Sequence, residues 1–135
     1  MSGEQARAIR LQRLLAVQAR KRQMEEWQLA ELKRTAATLE ATSIEILQSL
    51  GDQSLLQGLL LEAKAATLRR NEVQISANRV EQGRTEQKVR DAQGIEKRLE
   101  QASEEASSDA ARVEERAALE LALDDYLTAA RASFE

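Results

Sequence analysis

Apolar residues recur along the first third of the chain at alternating intervals of three and four. Leu29, Leu32, Ala36, Leu39, Ser43, Ile46 and Leu50 form such a line. It is the seam of a heptad-patterned helix, interrupted by one small polar residue. Extended backwards, the register meets Glu25, Arg22 and Gln18 before recovering at Leu15 and Leu11, while Leu14, Val17 and Met24 make a competing stripe. This pattern predicts a register shift or loosened packing near residues 17–25.

The periodicity stops at Ser49-Leu50-Gly51-Asp52-Gln53-Ser54. Gly51 suits the left-handed residue that closes a helix, and Asp52 or Ser54 can cap the next one. Beyond this break a second, longer helical segment is expected. Its seam is weaker: Val73, Ala77 and Val80 keep helical spacing, with Leu68 and Ile75 on a neighbouring stripe. Ile95, Leu99, Ala102, Ala106, Ala110, Val113 and Ala117 then form a narrow, alanine-rich face. Ser103–Asp109 is the softest stretch, read as continuous helix in preference to a second bend.

These elements give an all-α fold of one domain, two long helices in an antiparallel coiled-coil hairpin. Helix one is expected at about 5–49, the bend at about 50–54 and helix two at about 55–132. At 1.5 Å per residue the arms would measure ~68 Å and ~117 Å. Residues after roughly 100 would then project as a single helix, carrying Leu119, Leu123, Tyr126, Ala130 and Phe134 as an apolar stripe without an internal partner.

Composition supports the helices. Proline is absent, and only Trp27, Tyr126 and Phe134 are aromatic, so helices run uninterrupted and a wide globular core is excluded. With no cysteine or histidine, disulfides, thiolate chemistry and the commonest metal ligand and general base are missing. No phosphate-binding glycine loop or nucleophile–base pair occurs. Asp124 and Asp125 are adjacent, but neighbouring helical residues point about 100° apart and do not converge on a metal. The chain therefore reads as non-enzymatic, without cofactor or metal. No apolar run suggests a signal peptide or membrane span, so a cytoplasmic protein is expected, peripheral to a membrane at most.

Charge comes in blocks. Residues 1–34 carry eight bases and four acids, 35–63 four acids and no base, 64–90 seven bases and three acids, and 91–135 five bases and twelve acids. The basic opening, with Arg7, Arg10, Arg13, Arg20, Lys21 and Arg22, is either a contact surface or a solvated flank paired with the acidic C-terminal half. Nucleic acid is not an expected partner, because the chain is acidic overall and lacks stacking aromatics. Near the bend, Leu47, Leu50, Leu55, Leu56, Leu59, Leu60 and Leu61 occupy nearly all sides of a turn. They suggest a partner-binding tip, a local cluster or a dimer contact. Trp27 is expected to pack across the hairpin.

Arg10-Leu11-Gln12-Arg13-Leu14-Leu15, running through Arg20-Lys21-Arg22 to Leu29-Ala30-Glu31-Leu32 and Ala37-Thr38-Leu39-Glu40, resembles the opening helix of the FliJ/YscO family. These are stalk proteins of flagellar and virulence type III export machines. Arg112-Val113-Glu114-Glu115-Arg116 and Leu123-Asp124-Asp125-Tyr126 are similar to that family's charged closing segment. The resemblance implies a stalk whose terminal regions enter a hexameric export ATPase ring and which touches the export gate protein or export chaperones. Carried over by position, Arg10, Arg13, Leu14, Val17, Leu123 and Tyr126 would face the ring. The alternatives are a structural coiled-coil tether or scaffold, and a holding chaperone.

Overall fold

The computed structural model describes residues 2–51 and 60–134. Two helices, α1 (Gly3–Ser49) and α2 (Leu61–Phe134), form an antiparallel hairpin, and the described residues contain no strand. The expected caps at Asp52 and Ser54 lie outside the described residues.

Local chemistry sets the ends of α1. The Ser2 hydroxyl accepts the Gln5 N–H at 3.2 Å, and the Gln5 side-chain carbonyl accepts the Ser2 N–H at 3.0 Å. This reciprocal capping box satisfies two donors that a helix start leaves free. At the other end Gly51 is not left-handed, since no described glycine has positive φ. Its N–H donates to the Gln48 carbonyl at 3.2 Å, and the Leu50 N–H to Ile46 at 3.1 Å. The helix tightens at its last turn, so a left-handed residue is unnecessary.

Packing divides the chain into two compact units, Lys21–Ala92 and Met1–Arg20 with Gln93–Glu135. In the first unit, the seam of α1 is the expected one: Leu29, Leu32, Ala36, Leu39, Ser43 and Ile46 are all buried or half-buried. The seam of α2 is not. Val73 and Val80 are 70% and 55% exposed, and Leu68, Asn71, Ile75, Asn78, Gln82, Thr85, Val89 and Ala92 turn inward instead. Burial decides the choice. Val73–Ala77–Val80 leads only to Arg70 on one side and Arg84 on the other, whereas the inward line gathers Leu68, Ile75, Val89 and Ala92.

Three polar members of this line, Asn71, Asn78 and Gln82, meet partners. The Asn71 amide donates to the Ser43 hydroxyl at 3.3 Å, and the Asn78 amide to the main-chain carbonyl of Leu32 at 3.0 Å. Gln82 donates to the Asn78 carbonyl oxygen at 2.6 Å. Arg79 reaches Glu40 at 3.7 Å across the helices. This pair joins the base-free stretch of α1 to the base-rich start of α2.

No register shift occurs in α1. Glu25 and Arg22 stay on the seam, half-buried, as does Gln18, while Leu14, Val17 and Met24 are 53%, 64% and 71% exposed. Arg22 pairs with Glu26 through two 3.1 Å hydrogen bonds. One oxygen of Glu25, Oε2, is buried without a hydrogen-bond partner.

In the second unit, Ala8, Leu11 and Leu15 of α1, and Leu99, Ser103, Ala106, Ala110 and Val113 of α2, keep 3,4 spacing and are buried or half-buried. Ala8, Ala106 and Ala110 form its buried centre with Leu11 packed against them. Ile95 and Ala117, expected on this face, are exposed, while Ala102 is half-buried beside it. Helix α2 is unbroken through Ser103–Asp109. Gln5 donates to Glu114 at 2.7 Å, so the paired region extends past the limit expected near residue 100. Beyond it, residues 115–134 continue as helix for about 30 Å with no opposing helix among the described residues.

Gly83 and Gly94 sit inside α2, and a Cβ at either would meet nothing within 4 Å. Gly83→Ala and Gly94→Ala are therefore each expected to stabilise the hairpin by about 1 kcal/mol. Thermal melting followed by circular dichroism checks this, and a lower Tm for either variant would contradict the open space around it.

Candidate partner-binding surfaces

Each unit leaves apolar side chains bare. In the unit that holds both ends of the chain, α1 turns Arg7, Arg10, Arg13, Leu14, Val17 and Arg20 outward, all exposed. At 100° per residue they share one face, roughly opposite the seam formed by Ala8, Leu11 and Leu15. The second option for these arginines, pairing with the acidic half, does not describe the described residues: none of Arg7, Arg10, Arg13 or Arg20 makes an ion pair there.

The unpaired end of α2 is the second surface. Leu119, Leu123, Tyr126 and Phe134 are 72%, 56%, 70% and 92% exposed, with Ala130 half-buried among them. They follow helical spacing and make one stripe, as expected. Asp124 and Asp125 are exposed, and no described residues gather three or more potential metal-ligating side chains. The two sets carried over from the resemblance are not brought into one patch. Tyr126 lies twelve residues past Glu114, about 18 Å beyond the place where Gln5 meets α2.

In the other unit, the leucine-rich tip is partly visible. Leu47, Leu60 and Leu61 are exposed, and Leu50 is half-buried; Leu55, Leu56 and Leu59 lie outside the described residues. Ile44 is exposed beside them and lines an open groove with Glu40, Ser43, Glu72, Ile75, Ser76 and Arg79. Trp27 corrects the expectation. It is 65% exposed and does not pack across the hairpin, because residue 27 falls between the seam positions Glu25 and Leu29 on the far side of the helix.

Two features escaped sequence reasoning. One is the Ser2–Gln5 capping box, whose Ser-x-x-Gln spacing was a legible signal. The other is the polar seam, legible only if spacing is followed regardless of residue type from Leu68 to Val113.

No protein-family model matches the chain, and neither a curated protein nor a solved structure matches it. Among the described residues no helix is long and apolar enough to cross a membrane.

Proposed function

We propose that this chain is a non-enzymatic, cytoplasmic stalk component of a type III protein export apparatus, flagellar or virulence-associated. In this reading it seats in a hexameric export ATPase and links the ring to the export gate protein or to export chaperones. One observation carries the proposal. In the terminal unit α2 runs on past the start of α1 and keeps Leu119, Leu123 and Tyr126 exposed without an internal partner among the described residues. Apolar stripes of this kind on a helix mark a docking surface. The outward basic face of α1 supplies a second, chemically different contact, as a stalk touching several subunits needs. The resemblance of the two terminal segments to the FliJ/YscO family supplies the identity of the partner.

The test is co-purification with the export ATPase, coupled to ATPase rates with and without the chain. Binding and a raised turnover or assembly are expected. Leu123→Glu with Tyr126→Glu should weaken binding by about thirtyfold or more, while leaving helicity unchanged, since both side chains are exposed. Absence of binding together with an unchanged ATPase rate would remove the stalk reading. Stable self-association with no ATPase contact would favour the structural tether.

A further inference from the structure

The two bare surfaces of the terminal unit complement each other in charge and match in length. The outward face of α1 holds Leu14 and Val17, with Arg7 on one flank and Arg13 on the other. The overhang of α2 holds Leu119, Leu123 and Tyr126, with Glu115 on one flank and Glu120 on the other. Residues 3–21 carry five bases against one acid, and residues 114–134 carry five acids against two bases.

One molecule cannot join these surfaces. Helix α2 stays helical to Phe134, α1 starts at its Ser2 cap, and the overhang runs on past that cap. Folding back would break the helix. A second copy has no such obstacle. The overhang spans about 30 Å, and the face from Arg7 to Arg20 about 21 Å, so one overhang is long enough to cover one face.

We infer that two copies of this chain associate reciprocally, the overhang of each lying along the basic face of α1 in the other. The two contacts are equivalent, as a closed two-fold dimer requires. Each pairs an apolar stripe with an apolar strip and places glutamates beside arginines. Overhang against overhang is the poorer arrangement, because the flanking Glu115 and Glu120 then face the same acidic segment in place of the arginines of α1. The dimer stands independently of the stalk reading. Where both hold, ring and second copy compete for the same side chains.

Sedimentation of the purified full chain over a wide concentration range tests this without any ATPase present. A monomer–dimer equilibrium that weakens with salt is expected. Arg7→Glu with Arg13→Glu, or Glu115→Lys with Glu120→Lys, should each weaken self-association by about tenfold or more. All four side chains are exposed, and circular dichroism verifies that the variants remain folded. An equimolar mixture of the two double variants should regain the dimer, because each overhang again meets a face of opposite charge. A chain that stays monomeric throughout overturns the inference. So does a dimer indifferent to the Arg7 and Arg13 reversal, or a mixture that fails to recover association.

Discussion

Replacing Ala106 with aspartate is expected to cost about 3 kcal/mol or more, and Ala106→Leu about 2 kcal/mol. Ala106 is 1% exposed and meets Ala8, Ala110 and Leu11 where the two helices approach through small side chains. A leucine there has no void to enter, so the helices must separate or the side chain must leave its preferred rotamer. An aspartate adds a charge with no base in that alanine cluster. Against a typical total stability of about 5–15 kcal/mol, either change is large. Urea unfolding followed at the helical circular-dichroism band measures it. A midpoint that stays at the wild-type value for Ala106→Asp would mean that the alanine contact does not hold the terminal unit together.

The second large effect has the opposite sign. Asn71→Leu with Asn78→Leu is expected to raise stability by about 2 kcal/mol. Two buried leucines gain more from leaving water than the two amides gain from hydrogen bonds at 3.3 and 3.0 Å. The cost falls on register. Asn78 binds the Leu32 carbonyl and accepts from Gln82, so it holds α2 at one position along α1. Leucine is satisfied one heptad away as well as in place. Spin labels at Glu40 and Arg79, which face each other at 3.7 Å, should give one narrow distance in the wild type and a broader distribution in the double variant. A narrow distance combined with lower stability would show that the asparagines contribute cohesion and not register.

How much of this was visible in the residues differs between the helices. In α1, leucines at Leu29, Leu32 and Leu39 have no competing apolar line of similar length, and the expected face is the buried one. In α2, two lines compete. Val73, Ala77 and Val80 are individually more apolar than Asn71, Asn78 and Thr85, and local reading favours them. A helix, however, presents a single straight face to its neighbour over many turns. Within the Lys21–Ala92 unit the winning line is set by the sum from Leu68 to Ala92, so a short stretch of valines loses to Leu68, Ile75, Val89 and Ala92 together. Glu25, Arg22 and Gln18 enter the α1 seam for the same reason. Glu25 and Arg22 continue the 3,4-spaced line that begins at Leu29, against their own preference.

The candidate surfaces divide in the same way. The stripe at Leu119, Leu123 and Tyr126 followed from spacing together with helix lengths, and its exposure agrees. Trp27 did not follow, because its angular position depends on which register wins.

By itself the sequence determined that the chain is helical, where α1 ends and which residues line its longest apolar face. Proline-free heptads act through contacts within a few residues, so they are legible locally. Only the tertiary structure decided which face of α2 turns inward, how far the pairing reaches and which arginines stay uncovered. Those outcomes depend on how the helices meet within each unit, through contacts such as Asn78 with Leu32 in one and Gln5 with Glu114 in the other. Residues that far apart in sequence acquire an energy of interaction only once the chain has folded.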